Sequence, residues 1–149
     1  MSKVISAGIL LECEGQFLLG HPTELTGTTH GWGILKGKLD KKEPLIVAAL
    51  REFEEESGLN LLMYPGVHFI ARPFYSYHVG SKEVFVFWFT CAPSNGIMKL
   101  KLQCPSLVEG TTKPEIDDYK WVDVDEAIKI VTDSQKDLFK TVKQLTRYR

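Results

Sequence analysis

The chain has 149 residues, is 44% hydrophobic and 25% charged, and carries a formal net charge of -1. That length supports one domain, 1–149, with its own core, and the near-neutral balance gives no field favouring a polyanionic nucleic acid or an anionic membrane surface. No apolar run reaches the length of a membrane span, the opening Met1-Ser2-Lys3-Val4-Ile5 does not read as a signal peptide, and Cys13, Cys91 and Cys104 lack zinc-ligand spacing and fit free thiols in a reducing, cytoplasmic setting.

Val4 to Cys13 is rich in Val, Ile and Leu and predicts a strand. Glu14-Gly15 is a turn signal, and Gln16 to Gly20 completes a hairpin. His21 to Gly31, with Pro, Gly and four threonines, is loop chemistry. Trp32 to Leu35 predicts a short strand, followed by a glycine turn at Lys36-Gly37-Lys38. The clearest helix starts at Pro44, suited to a first helical position, and stops at Gly58, suited to the left-handed position after the last turn. Ile46, Ala49, Leu50 and Phe53 form its apolar stripe.

Strands are then expected at Val67–Ala71 and Phe74–Val79, parted by Arg72-Pro73. The run Val84-Phe85-Val86-Phe87-Trp88-Phe89 is apolar without alternation, which predicts a strand covered on both faces. That implies a sheet between layers of helices. Pro93 to Pro114 reads as a loop with room for a hairpin at Ile97–Leu102. Tyr119 to Val122 reads as the last strand. Asp123 with Glu126, and Ser134 with Asp137, match helix-capping boxes, and Leu138, Val142 and Leu145 mark an amphipathic C-terminal helix. No repeat, low-complexity segment or linker divides the chain.

The chemistry concentrates on the first helix. Glu52, Glu55 and Glu56 fall at i, i+3 and i+4, so three carboxylates share one helix face. Exposed acidic faces are ordinarily just solvated, but here no lysine is interspersed, and a hard divalent cation neutralises such a cluster well. Glu54 lies off the stripe and fits plain surface. His21, His30, His68 and His78 have no ligand spacing and fit structural or surface roles.

Extended backwards, the pattern is Gly37, then Glu43, then Arg51-Glu52-Phe53, one variable residue, and Glu55-Glu56-Ser57-Gly58-Leu59. This resembles the signature box of the Nudix hydrolases at every fixed position. Trp32-Gly33 ahead of the box and the late strand with Trp121 are also similar to that family. Leu35 stands where many relatives have a proline. The resemblance implies an α/β/α sandwich on a central mixed sheet. It also implies magnesium- or manganese-dependent hydrolysis of the diphosphate bridge in a nucleoside diphosphate derivative. By resemblance, Gly37 (through its carbonyl), Glu52, Glu55 and Glu56 would hold metal. Glu52 or an outside carboxylate would be the base, and Glu43 and Arg51 would orient the ligands. By the same resemblance Glu115, with Glu109 as rival, would be the outside carboxylate. Lys36 and Lys38 flank Gly37 and are candidates for contacting phosphate.

Substrate is read from Arg72-Pro73-Phe74-Tyr75-Ser76-Tyr77. In the family a proline somewhat past the box resembles ADP-ribose enzymes, and a tyrosine slightly later resembles diadenosine polyphosphate enzymes. Pro73 falls early for the first, while Tyr75 and Tyr77 fit the second and could stack on adenine. Arg72 is a candidate for phosphate. The expectation is a pyrophosphohydrolase of adenylated small molecules, monomeric or homodimeric. Removal of pyrophosphate from the 5′ end of RNA, cap cleavage and nucleoside triphosphate cleansing are alternatives, and the neutral charge disfavours RNA. A Nudix-like binding module without catalysis is a further alternative, disfavoured by the complete set of box carboxylates.

Overall fold

The computed structural model describes residues 3–147. A mixed sheet of seven strands runs through it. The strands are β1 (Val4–Cys13), β2 (Gln16–Pro22), β3 (Leu35–Lys38), β4 (Val67–Phe69), β5 (Tyr75–Val79), β6 (Lys82–Cys91) and β7 (Ile116–Val122). Three helices accompany them: α1 (Leu45–Ser57), α2 (Val124–Ile130) and α3 (Lys136–Thr146).

The centre of the sheet is the parallel pair β1 and β6, in register from Val4 opposite Lys82 to Cys13 opposite Cys91. The outer edge of each strand forks. Along β1, β3 pairs with Ser6–Ile9 and β2 with Glu12–Cys13. Along β6, β5 pairs with Lys82–Val86 and β4 with Phe89–Cys91. Beyond β2 lies β7.

Both faces are covered, as the uninterrupted apolar run in β6 requires. Ala7, Ile9, Leu11, Phe87 and Phe89 point into one core with Ala48, Ala49 and Phe53 of α1. Leu10, Val84, Val86, Phe17 and Leu19 point into the other with Ala127, Leu138, Phe139 and Val142 of α2 and α3. Each fully buried Val, Leu, Ile or Phe side chain among them contributes about 1.5–3 kcal/mol. This is the expected α/β/α sandwich on a mixed sheet. Cys13 and Cys91 are buried free thiols. No helix among the described residues is long and apolar enough to cross a membrane.

Local expectations differ in several places. Lys36-Gly37-Lys38 is strand, not turn, because Lys38, Gly37 and Lys36 pair with Ser6, Ala7 and Gly8. Trp32 and Gly33 make only isolated bridges, to Val131 and Gly20. Pro44 flanks α1, and its carbonyl accepts from Ala48 N–H, so the helix begins one residue later. Gly58 does take the left-handed conformation (φ 74°), its N–H donating to Glu54 O. β4 ends at Phe69, where its pairing with β6 stops. The Ile97–Leu102 hairpin is replaced by a 3-10 turn at Ile97–Lys99, with Asn95 Oδ1 accepting from Ile97 N–H. β7 starts earlier than expected, at Ile116, through pairing with Pro22. Asp123 caps α2 by accepting from Glu126 N–H. Ser134 caps nothing: Asp133–Gln135 is a 3-10 turn leading into α3.

Candidate active site

Arg51 organises the connection between β3 and α1. Its Nε and Nη2 donate to the two oxygens of Glu43 at 2.8 and 2.9 Å. Nη2 also reaches Lys38 O at 2.9 Å, and Nη1 reaches Glu52 at 2.8 Å and Glu55 at 3.1 Å. A planar fork makes such simultaneous contacts well. Its hydrogen bonds hold the Glu43 carboxyl down to about 2. Glu43 also accepts from Asp40 N–H, closing the turn before the helix.

The acidic face of α1 lies over β3. A Cβ on Gly37 would sit 1.9 Å from Glu52 Oε2, so only glycine leaves room for that carboxylate against the strand. Glu56 is 8% exposed and accepts from Lys36 N–H at 2.9 Å. Burial pushes its carboxyl up to about 8, against the opposing pull of the Lys36 N–H and ammonium. The charges of Glu52 and Glu115 add to the rise. Burial likewise raises the Glu52 carboxyl, and Glu55 and Glu115 contribute there too. Burial lowers the Lys36 ammonium, with Lys82 adding like-charge repulsion. Glu54 is exposed, as expected.

A cavity of about 580 Å³ opens beside Glu56, in the fork between β2 and β3. Lys36, Glu56, Glu109 and Glu115 line it together with Gly20, Pro22, Leu25, Gly33, Thr132 and Gln135. Lys36, the box carboxylate and both late acids are thus brought to one place. Of the two acids, Glu115 is the one whose charge acts on Glu52 and Glu56.

The other candidates stand elsewhere. Lys38 is exposed and contributes its carbonyl to Arg51. Arg72 lines a separate cleft with His68, Phe74 and Trp88. Tyr75 and Tyr77 face the second core, because alternation along β5 turns both toward α2 and α3. The Tyr77 hydroxyl accepts from Gln135 Nε2 at 3.0 Å, so it meets the cavity only through Gln135. Direct stacking of either tyrosine on a base in this cavity does not follow from where they lie.

Gln135 is among the lining residues that the sequence did not point to. It is 1% exposed, and its Oε1 accepts from Ile34 N–H at 3.0 Å. A Cβ on Gly33 would come within 2.9 Å of its Nε2. The capping pattern at Ser134 drew attention to the wrong neighbour, and only the Trp32-Gly33 pair hinted at this wall.

Among the described residues, no three acidic, histidine or cysteine side chains stand gathered as a ready-made cage. Arg51 Nη1 instead holds Glu52 and Glu55. The residue types still fit a hard cation: three carboxylates share one helix face, and Gly37 leaves room beneath Glu52.

Comparison with known proteins agrees with this geometry. The NUDIX domain model matches residues 1–144. A search among curated protein sequences finds no match. Among solved structures, a C. elegans Ap4A hydrolase in a binary complex superposes with a TM-score of 0.70 at 19% identity, covering 98% of this chain and 99% of that one. The MutT protein from Methanosarcina mazei Go1 gives 0.63 at 21% identity, with 98% of both chains covered. The E. coli ORF135 protein gives 0.66 at 17% identity, covering 100% of this chain and 94% of that one. These low-identity likenesses establish the fold, and the domain match adds the family: the chain belongs to the Nudix hydrolases, enzymes acting on phosphorus-containing anhydrides.

Proposed function

We propose that this chain hydrolyses the diphosphate bridge of adenylated small molecules, diadenosine polyphosphates or ADP-ribose, with magnesium or manganese. The observation that carries the reading is the buried Glu56 carboxylate, set beside Glu52 and Lys36 at the edge of a cavity of about 580 Å³. A buried acid with a strongly raised pKa, next to like charges and in a cleft, is a poor structural choice and a good functional one. Nudix enzymes generally use divalent cations. Glu52, Glu55, Glu56 and the Gly37 carbonyl would hold the ion, which supplies charge neutralisation at the phosphate oxygens and acidifies water.

The chain's own groups do the rest. Arg51 orients Glu52 and Glu55 and keeps them paired before substrate arrives. The Lys36 ammonium, half-buried at the cavity edge, meets a phosphate oxygen where water is scarce, which strengthens the contact. Glu115 is the candidate to take the proton of the attacking water. Gly20, Gly33, Ile34 and Gln135 give the nucleoside a close-fitting wall. The overall likeness to an Ap4A hydrolase favours adenylated substrates. The near-neutral charge favours small molecules over RNA.

The test is a substrate panel with magnesium or manganese, reading phosphate release and product identity. Dinucleoside polyphosphates or ADP-ribose should be cleaved at the bridge. Turnover of triphosphorylated or capped RNA far above that of dinucleotides would sink the substrate assignment. Absence of any divalent-ion requirement would sink the role given to the three glutamates.

A further inference from the structure

His21, near the end of β2, takes no part in the site above, yet it is 4% exposed and both its ring nitrogens are engaged. Nδ1 lies 2.8 Å from Asp117 Oδ1, and Nε2 lies 3.1 Å from the His30 carbonyl. The ring packs against Trp32 at 5.1 Å between centroids. Asp117 has a second tie: its Oδ2 accepts from the Thr26 hydroxyl at 2.5 Å. Thr26 and His30 belong to the loop that follows β2, and Pro22, Glu24, Leu25 and Gly31 of that stretch wall the cavity.

The same contact reaches Glu115. The β2–β7 register slips here: His21 pairs with Asp118, but Pro22 pairs with Ile116. Asp117 is therefore the extra residue of a bulge, a device that re-aims a side chain at a sheet's end. The segment just before the bulge is tied to the same loop. Thr23 N–H donates to Glu115 O at 2.9 Å, and the Thr23 hydroxyl donates to Pro114 O. Glu115 N–H donates to Ser106 O at 2.9 Å. The main chain of Glu115 is thus held between the loop and Ser106, two residues from the clasp.

We propose that His21 and Asp117 are positioning residues for the hydrolysis: their clasp holds the cavity loop and, through the bulge, sets Glu115 against Glu52 and Glu56. This rests on the reading of Glu115 as the outside catalytic carboxylate. No contact between the clasp and substrate is needed.

The experiment is a double-mutant cycle on the metal-loaded enzyme with a cleavable dinucleotide. The variants are His21→Asn, Asp117→Ala, Asp117→Asn, Glu115→Gln and the pair Asp117→Ala with Glu115→Gln. Each is followed by kcat, KM and thermal melting. His21→Asn and Asp117→Ala should lower kcat roughly 10- to 100-fold, as sub-ångström misplacement of a reacting group does. KM should move far less. Asp117→Asn, which keeps one acceptor, should recover part of the loss. In the Glu115→Gln background, Asp117→Ala should cost little more, because the group it positions is gone. Unchanged kcat in both clasp variants overturns the proposal. So does a loss that tracks the unfolded fraction, or one that adds in full to Glu115→Gln. Full turnover by Glu115→Gln alone removes Glu115 from the reaction and the clasp's role with it. Loss in Glu115→Gln with normal turnover in the clasp variants leaves the carboxylate's role standing and removes only the clasp.

Discussion

The cavity has two walls of unlike origin. One is Lys36 and Glu56, which belong to a single stretch, Lys36 to Leu59, where Arg51 ties Glu43, Glu52 and Glu55 together just behind the wall. The other is assembled from Gly20–Gly33, Ser106–Asp117 and Thr132–Gln135, whose contacts join residues up to 101 positions apart. The first gathers its carboxylates along one helix face; the second shapes the cavity and brings Glu115 to it from a distant segment. Chemistry that needs several carboxylates in fixed mutual positions is served by a helix, where spacing along the chain is spacing in space. Shape around a ligand has no such requirement and can be built from any segments the fold brings together.

The contrast is broken most sharply at Glu56. Glu56→Gln should reduce kcat roughly a thousandfold, on the scale of removing a principal charge-stabilising group. Without divalent ions it should melt at the wild-type temperature or above, because a buried carboxylate becomes a neutral amide. A stopped assay together with a melting curve decides this, and lost folding would remove Glu56 from the active group. Gly37→Ala comes next. The methyl would occupy the place of Glu52 Oε2, so turnover should fall roughly a hundredfold through misplacement of that carboxylate. Wild-type turnover would mean that Glu52 works from another position.

On the shape side, Gln135→Leu should act differently. It leaves the Ile34 N–H without its acceptor, costing about 1–3 kcal/mol of stability, and it should raise KM more than it lowers kcat. A pure kcat effect would move Gln135 from the shaping wall to the chemical one. Glu43 gives the mildest test, through pH. Its folded pKa of about 2 lies below the ordinary value of 4.5. The stability gained from its contact with Arg51 is therefore complete above pH 4.5 and is lost as pH falls toward 2. Glu43→Gln should cost about 1.5–3 kcal/mol at pH 7 and flatten the acid side of the stability curve. Urea midpoints measured from pH 7 to pH 2 would show the two proteins converging; a constant gap would assign Glu43 no charge-dependent role.

What could be read from the residues alone was whatever repeats at a local period. The 3.6-residue spacing in α1, its stop at Gly58 and the unbroken apolar run of β6 announced the helix, the two-faced sheet and the acidic stripe. The box, with its fixed intervals, announced the family. Tertiary structure decided the rest, because it turns on partners distant in sequence. Gly37 is in a strand and not a turn because β1 offers it pairing. Tyr75 and Tyr77 face a core because α2 and α3 cover that side of β5. Gln135 enters the cavity because Ile34 and Tyr77 are there to bind it, and Asp117 meets His21 because a bulge in β7 shifts the register. Local sequence fixes which atoms can be charged and how neighbours on a helix align; the meeting of separate segments depends on burial and pairing energies summed over the whole chain, which no short window contains.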